Sequence, residues 1–222
     1  MSFMDSLFTA KGALLTGFLN TLAASFSSIV IGTLVGILIG FVITYGNKYL
    51  KIPFRLFVDI IRGIPGLVTL FAVYYLVGFL LQGFGIRLTP LVSGIVALST
   101  LAGANVAELT RGALQSIPKG QIEAGKAIGL RFNQIFKNIL FPQAVVQMIP
   151  PWINTASEVV KGSTLLALVG VSELLLTGHQ MVATSGRALP YYMFIGLIFF
   201  LLNTMIQYLG GFLEKKFSFQ RR

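Results

Sequence analysis

Five stretches of the chain run without a charged residue for about the length of a bilayer crossing: residues 12–47, 64–86, 88–107, 138–157 and 188–213. A membrane helix needs roughly 20 consecutive, mostly apolar residues, because each backbone N–H and C=O must be satisfied within the segment. The pattern therefore predicts an all-α integral membrane protein of five transmembrane helices. The first stretch is long enough for a tilted helix with an interfacial lead-in, and it lacks the short pattern of a removable signal peptide. Residues 162–172 are also uncharged but too short to cross; with 174–186 they predict a re-entrant or interfacial element. Gly32, Gly36 and Gly40 recur every four residues, a ridge of small residues that lets another helix approach closely.

Composition agrees: 55% of the 222 residues are apolar and 11% charged, against roughly 25% charged in soluble chains. The formal charge of +10 suggests nucleic acid only until the basic residues are placed. Lys48, Lys51, Arg55 and Arg62 lie between the first two predicted helices; Arg111, Lys119, Lys126, Arg131 and Lys137 between the third and fourth; Lys215, Lys216, Arg221 and Arg222 after the fifth. Only Lys11, Arg87, Lys161 and Arg187 fall in the alternate set. Basic residues are retained on the cytoplasmic side, so the amino terminus is expected outside and the carboxyl terminus in the cytoplasm. No nucleic-acid partner is then expected. With no cysteine and a lone His179, the chain cannot build a thiolate metal site, a disulfide scaffold or a cysteine nucleophile. No catalytic site and no metal site are expected. The longest segment between helices, 108–137, is too small for its own core, so residues 1–222 read as one transmembrane domain.

That segment carries the most specific pattern. Pro118 suits a helix start, Ile122, Ala124, Ala127 and Ile128 suggest a short helix, and Gly129 supplies the left-handed residue that stops one. Phe132, Ile135, Phe136 and Ile139 then recur at helical spacing and lead into the fourth long helix. Helix, tight turn and helix over about 112–138 predict a compact knob at the membrane surface, shaped to fill a groove in a cytoplasmic partner.

Glu123-Ala124-Gly125, with Gly129 six residues after the glutamate and Ile139 and Pro142 beyond, resembles the cytoplasmic loop motif of permease subunits in bacterial ATP-binding-cassette importers. Further strings resemble the subfamily serving polar and opine-type amino acids. They are Arg62-Gly63-Ile64-Pro65, Ala107-Glu108 with Arg111-Gly112, Ser116-Ile117-Pro118 with Gly120-Gln121, Pro142-Gln143-Ala144, Pro150-Pro151-Trp152 with Asn154, and Gly170-Val171-Ser172-Glu173. The likeness spans about residues 17–217. It implies a translocation subunit in a bacterial inner membrane, surrounded by lipid and paired with itself or a sister permease. Two ATPase subunits, which bind the ATP and Mg, and an extracytoplasmic binding protein that delivers an amino acid complete the implied assembly. For Glu123, Ala124, Gly125, Gly129, Ile139 and Pro142 it implies a role in ATPase coupling. The chain has no Gly-x-x-x-x-Gly-Lys-Ser/Thr phosphate loop, so hydrolysis is expected in the partner chains. Gly125 stands where the family has alanine, costing about 1 kcal/mol of helix propensity; closer approach to the partner is the expected compensation.

Pro150 and Pro151 are expected to break the fourth helix, a device found at membrane depth where freed backbone groups meet protein, water or ligand. Asn154, Glu158 and Lys161 follow at spacings of four and three and share one helical face. A carboxylate and an ammonium there could hold the two charged groups of an amino acid. The plainer alternative is that Glu158 and Lys161 pair with each other, or that Lys161 snorkels outward. The resemblance places Asn154 and Lys161 along the translocation path. Glu158 and Gly162-Ser163-Thr164 depart from its pattern, which makes Glu158 and Ser163 candidates for tuning choice toward a cationic side chain. Arg62, Glu108 and Arg111 read as interfacial anchors, His179 as a surface residue, and Tyr74-Tyr75 and Tyr191-Tyr192 as interface belt. The competing class is an ion-coupled carrier or channel with Glu158 and Lys161 as coupling sites; a carrier, however, needs no ATPase socket.

Overall fold

A computed structural model describes residues 3–218, and every regular element among them is helical. Arg221 and Arg222, two of the basic residues behind the predicted orientation, lie outside the described residues. A short α1 (Phe3–Thr9) precedes α2 (Lys11–Tyr45) and α3 (Lys48–Gly63). Next come α4 (Gly66–Phe71), a π-helical turn (Ala72–Val77) and α5 (Gly78–Gln82), which run on as one helical segment. After α6 (Pro90–Ser116), α7 (Lys119–Ala127) and α8 (Phe132–Ile135), a second π-helical turn (Phe136–Leu140) leads into α9 (Phe141–Gly162). A 3₁₀ segment (Ser163–Val169), α10 (Leu174–Ser185) and α11 (Ala188–Ser218) complete the described residues.

Lys11–Tyr45, Pro90–Ser116 and Ala188–Phe217 are each long and apolar enough to cross a membrane. Two bent pairs, Lys48–Gly63 with Gly66–Gln82 at 114° and Phe132–Val169 with Leu174–Ser185 at 52°, raise the number to five if each forms one span. At 1.5 Å per residue α2 is about 52 Å long, well beyond the roughly 30 Å of a hydrocarbon core. It therefore tilts or protrudes.

The glycine ridge faces α6. A Cβ on Gly32 would stand 2.6 Å from the Ala102 Cβ, one on Gly36 2.6 Å from the Gly103 carbonyl oxygen, and one on Gly40 2.5 Å from the Ala107 carbonyl oxygen. The neighbour that these glycines admit is in the same chain, and its contact row of Ala102, Gly103, Val106 and Ala107 is itself mostly small. Without a hydrophobic force between helices in lipid, such backbone proximity is what holds a pair together. Around it lie a core of Leu70, Leu98, Val159 and Leu166 on one side and of Leu114, Ile135, Leu140 and Met148 on the other.

Pro150 and Pro151 do not break the fourth long helix. α9 runs through them without interruption. Each proline removes the hydrogen bond to the carbonyl four residues earlier and crowds that carbonyl with its ring, but neighbours hold the axis just beyond. Trp152 Nε1 donates to Thr33 Oγ1 of α2 at 2.8 Å. On α11, Gly210 lies so close that a Cβ there would collide with the Ile153 side chain. The chain turns later, at Gly170, whose φ of 82° is a left-handed value that suits glycine. The segment read as re-entrant or interfacial is clamped to α2: Asn20 Nδ2 donates to the Ser172 carbonyl at 2.9 Å and Thr21 Oγ1 accepts from the Leu174 N–H at 3.2 Å. Glu173, with no exposed surface, caps α10 by accepting from the Leu175 and Leu176 N–H groups at 2.8 and 2.6 Å.

Candidate coupling and translocation sites

The segment between α6 and α9 folds as a helix, a tight turn and a helix. Gly129 has φ 81° and ends α7 in the manner of a left-handed cap: the Gly129 N–H donates to the Lys126 carbonyl at 2.9 Å and the Leu130 N–H to the Gly125 carbonyl at 3.0 Å. The next helix opens with the Arg131 N–H donating to Gln134 Oε1 at 2.8 Å. Glu123, Ala124 and Gly129 are exposed on this knob, and so is Pro142 on α9. Gly125 is buried and turned inward: a Cβ would meet Ile135 Cγ1 at 2.8 Å and Ile139 Cδ1 at 3.5 Å. The missing methyl thus admits Ile135 and Ile139 of the same chain, not a partner.

The knob is attached at both ends. Phe136 lies 4.7 Å from Phe41 and 6.2 Å from Tyr45 between ring centroids, and Tyr45 lies 5.2 Å from Phe132, which ties it to the end of α2. The Ser116 hydroxyl, shared between the Ala113 carbonyl and Gln147 Oε1, ties the end of α6 to α9. One feature of the knob escaped sequence reasoning, because Ile128 looked like part of the helical period. It sits at the turn with 75% of its surface exposed, an apolar tip beside the left-handed glycine.

On α9, Asn154, Glu158 and Lys161 are all exposed and share the face opposite the buried Ile153, Ala156 and Val160. Glu158 and Lys161 form no ion pair among the described residues, so they stand apart on that face. Ser163 is not beside them. It has no exposed surface, and its hydroxyl donates to the Val160 carbonyl at 2.7 Å.

A charge cluster joins α3 to α6. Glu108 accepts from Arg55 Nη1 at 2.8 Å and from Arg111 Nε at 2.9 Å, with Arg62 Nη1 4.0 Å away. Arg55 Nε also donates to Asp59 Oδ2 at 2.9 Å. Glu108 is 19% exposed, so these groups cross-link two helices in addition to any anchoring at an interface. The signal was present in the spacing: Arg55, Asp59 and Arg62 occupy one face of α3, and Glu108, Arg111 and Gln115 one face of α6.

Residues 32–219 match the family described as binding-protein-dependent transport system inner membrane component. The Probable amino-acid ABC transporter permease protein YckA of Bacillus subtilis (strain 168) is 32% identical over 201 residues, covering 89% of this chain and 86% of the relative. The histidine/lysine/arginine/ornithine transport system permease protein HisQ of Escherichia coli (strain K12) is 30% identical, covering 96% of each. Among solved structures, the crystal structure of an amino acid ABC transporter with histidines superposes with a TM-score of 0.84 at 25% identity, over 97% of this chain and 99% of that one.

Proposed function

The chain belongs to the family of binding-protein-dependent transport system inner membrane components, and from that premise we propose that it is the translocation subunit of an ATP-driven amino acid importer. In this reading residues 1–222 form one permease domain of five spans, with the amino terminus outside and the carboxyl terminus in the cytoplasm of a bacterium. A second permease copy or sister chain, two ATPase subunits and an extracytoplasmic binding protein complete the assembly. The observation that carries the reading is the knob around Gly129. It is an exposed helix-turn-helix in contact with α2, α6 and α9, on the motif that resembles an ATPase-docking loop. Such a body passes closure of a nucleotide sandwich to the spans as a rigid swing. Glu123, Ala124, Gly129 and Pro142 face the ATPase, while Gly125 and Ile139 set the shape of the knob from within.

Tagged chain purified from its native membrane in mild detergent should bring ATPase activity with it. Gly129→Asp should lose that activity at least about tenfold without loss of membrane-inserted chain, since one lost contact of about 1.4 kcal/mol already gives tenfold. Asparagine tolerates the left-handed conformation better than most residues. Gly129→Asn therefore separates backbone strain from the added charge. A chain that purifies alone and still accumulates amino acid in ATP-free vesicles would replace this reading with an ion-coupled carrier.

For the substrate path we propose the α9 face of Asn154, Glu158 and Lys161, with Glu158 favouring ligands that carry a cationic side chain. Two observations support this: an uncovered acidic group on a long helix, and the amino acids in the name of the HisQ relative, histidine, lysine, arginine and ornithine, of which the last three carry cationic side chains. Ser163 acts from behind, by holding the end of α9. Glu158→Gln should lower uptake of arginine and lysine several-fold more than that of glutamine in competition assays. Equal losses for all three would assign Glu158 to structure.

A further inference from the structure

The segment between α2 and the next spanning helix is more than a cytoplasmic connection. We infer that α3 is an in-plane membrane helix that seats its outer face among the acyl chains of the cytoplasmic leaflet and takes anionic phospholipid headgroups on its basic edge. The inference rests on the orientation proposed above.

At about 100° per residue, the helix divides into three arcs. Phe54, Val58 and Ile61 form the first and pack on Ile39 and Ile43 of α2 and on Ala104 and Ala107 of α6. Tyr49, Leu56 and Ile60 form the second, with 87%, 58% and 48% of their surface exposed. Lys48, Lys51, Arg55, Asp59 and Arg62 form the third. A helix with one buried arc needs no second apolar face unless something apolar covers it.

The chain itself identifies the cover. α2 ends at Tyr45 and α4 begins at Gly66, so both ends of α3 are tethered to membrane-crossing helices at the same face of the bilayer. The axis then bends by 114° into Gly66–Gln82, a geometry that lays α3 across the direction of the spans. An apolar arc beside a charged one, at that depth, is the form of an interfacial helix. Charge selects the lipid. Arg55 and Arg62 face Glu108, and Lys51 Nζ donates to the Thr44 carbonyl at 2.7 Å, but neither Lys48 nor Lys51 has a carboxylate partner among the described residues. Two uncompensated ammonium groups at the surface of an anionic leaflet attract its headgroups.

The chain has no cysteine, so an introduced cysteine is its one thiol site for a label, and partner chains labelled with the parent permease give the background to subtract. The whole transporter carrying Tyr49→Cys, Leu56→Cys, Ile60→Cys or Lys48→Cys is spin-labelled and reconstituted in vesicles with phosphatidylglycerol or of phosphatidylcholine alone. Labels at 49, 56 and 60 should relax with dissolved oxygen and be protected from a water-soluble nickel reagent, and the label at 48 the reverse. Phosphatidylglycerol should raise the oxygen-to-nickel ratio at 56 and 60 several-fold. Lys48→Gln with Lys51→Gln should abolish that rise. Labels at 56 and 60 shielded from both reagents would mean that protein covers this face, and nickel access there would mean water; either overturns the inference. No phosphatidylglycerol effect would overturn the headgroup claim. ATP-driven uptake, measured in parallel, fails if the importer reading is wrong while the label pattern stands.

Discussion

Gly40→Leu is expected to prevent the chain from accumulating as a folded, monodisperse protein, and Gly40→Ala to lower its stability by about 2 kcal/mol. Overpacking a well-fitted core typically costs 1–3 kcal/mol, and the cost depends on what must move. At Gly40 the obstacle is rigid on two counts: an added Cβ lies 2.5 Å from the Ala107 carbonyl oxygen and 2.5 Å from the Thr110 Cβ. The first is backbone in the middle of α6, and the second belongs to a buried side chain whose hydroxyl donates to the Val106 carbonyl at 2.8 Å. Neither yields by a rotamer change, so the two helices must separate, and α2 against α6 is the contact on which the rest of the bundle is built. Gly12, on the same helix with nothing within 4 Å of its would-be Cβ, provides the internal control. Thermal melts in detergent, followed by size exclusion, should rank Gly12→Ala with the parent, Gly40→Ala below it and Gly40→Leu lowest. Equal melting of Gly12→Ala and Gly40→Ala would show that α2 and α6 do not meet along this ridge.

What the sequence made legible follows from which interactions are local. Uncharged runs reveal long apolar helices because the demand of lipid on the backbone acts segment by segment. The knob was legible for the same reason: Gly129 is a left-handed stop between two short apolar periods, and all three are found within twenty residues. The ridge of Gly32, Gly36 and Gly40 announced a close neighbour but not its identity, since α6 is met only after the chain has turned through α3, α4 and α5. The break expected at Pro150 was wrong because proline's local cost is opposed by Trp152 and Gly210, whose partners lie on α2 and α11. For Gly125 the local helix cost was visible, but Ile135, ten residues on, was not visible as the group that needs the space. Amphipathic α3 passed as a basic loop because the positive-inside count registers its lysines and arginines and ignores the apolar residues between them.

The Glu108 cluster is the other place where distance in sequence hid a joint, and it carries the second large expectation. Glu108→Ala should destabilise the chain by about 2–3 kcal/mol, in the range for removing a charged hydrogen-bond partner from groups that lose much of their water. The loss is of one acceptor serving two guanidinium groups directly, Arg55 at 2.8 Å and Arg111 at 2.9 Å, with Arg62 at 4.0 Å. The three arginine side chains are 25–42% exposed and Glu108 19%, so solvent screening keeps the figure below that of a fully buried pair. Asp59→Ala supplies the contrast. Its carboxylate is 49% exposed and, among the described residues, bonds only Arg55, four residues earlier on the same helix, a pair worth at most about 1 kcal/mol. Because α6 runs on into the knob, detaching α3 from Glu108 should also reduce ATP-driven uptake more than it reduces ATPase activity. A double-mutant cycle of Arg55→Ala with Glu108→Ala should give a coupling of about 1–2 kcal/mol in thermal or denaturant melts. A coupling of zero, with Glu108→Ala no worse than Asp59→Ala, would leave these residues as interfacial anchors and remove the joint between α3 and α6.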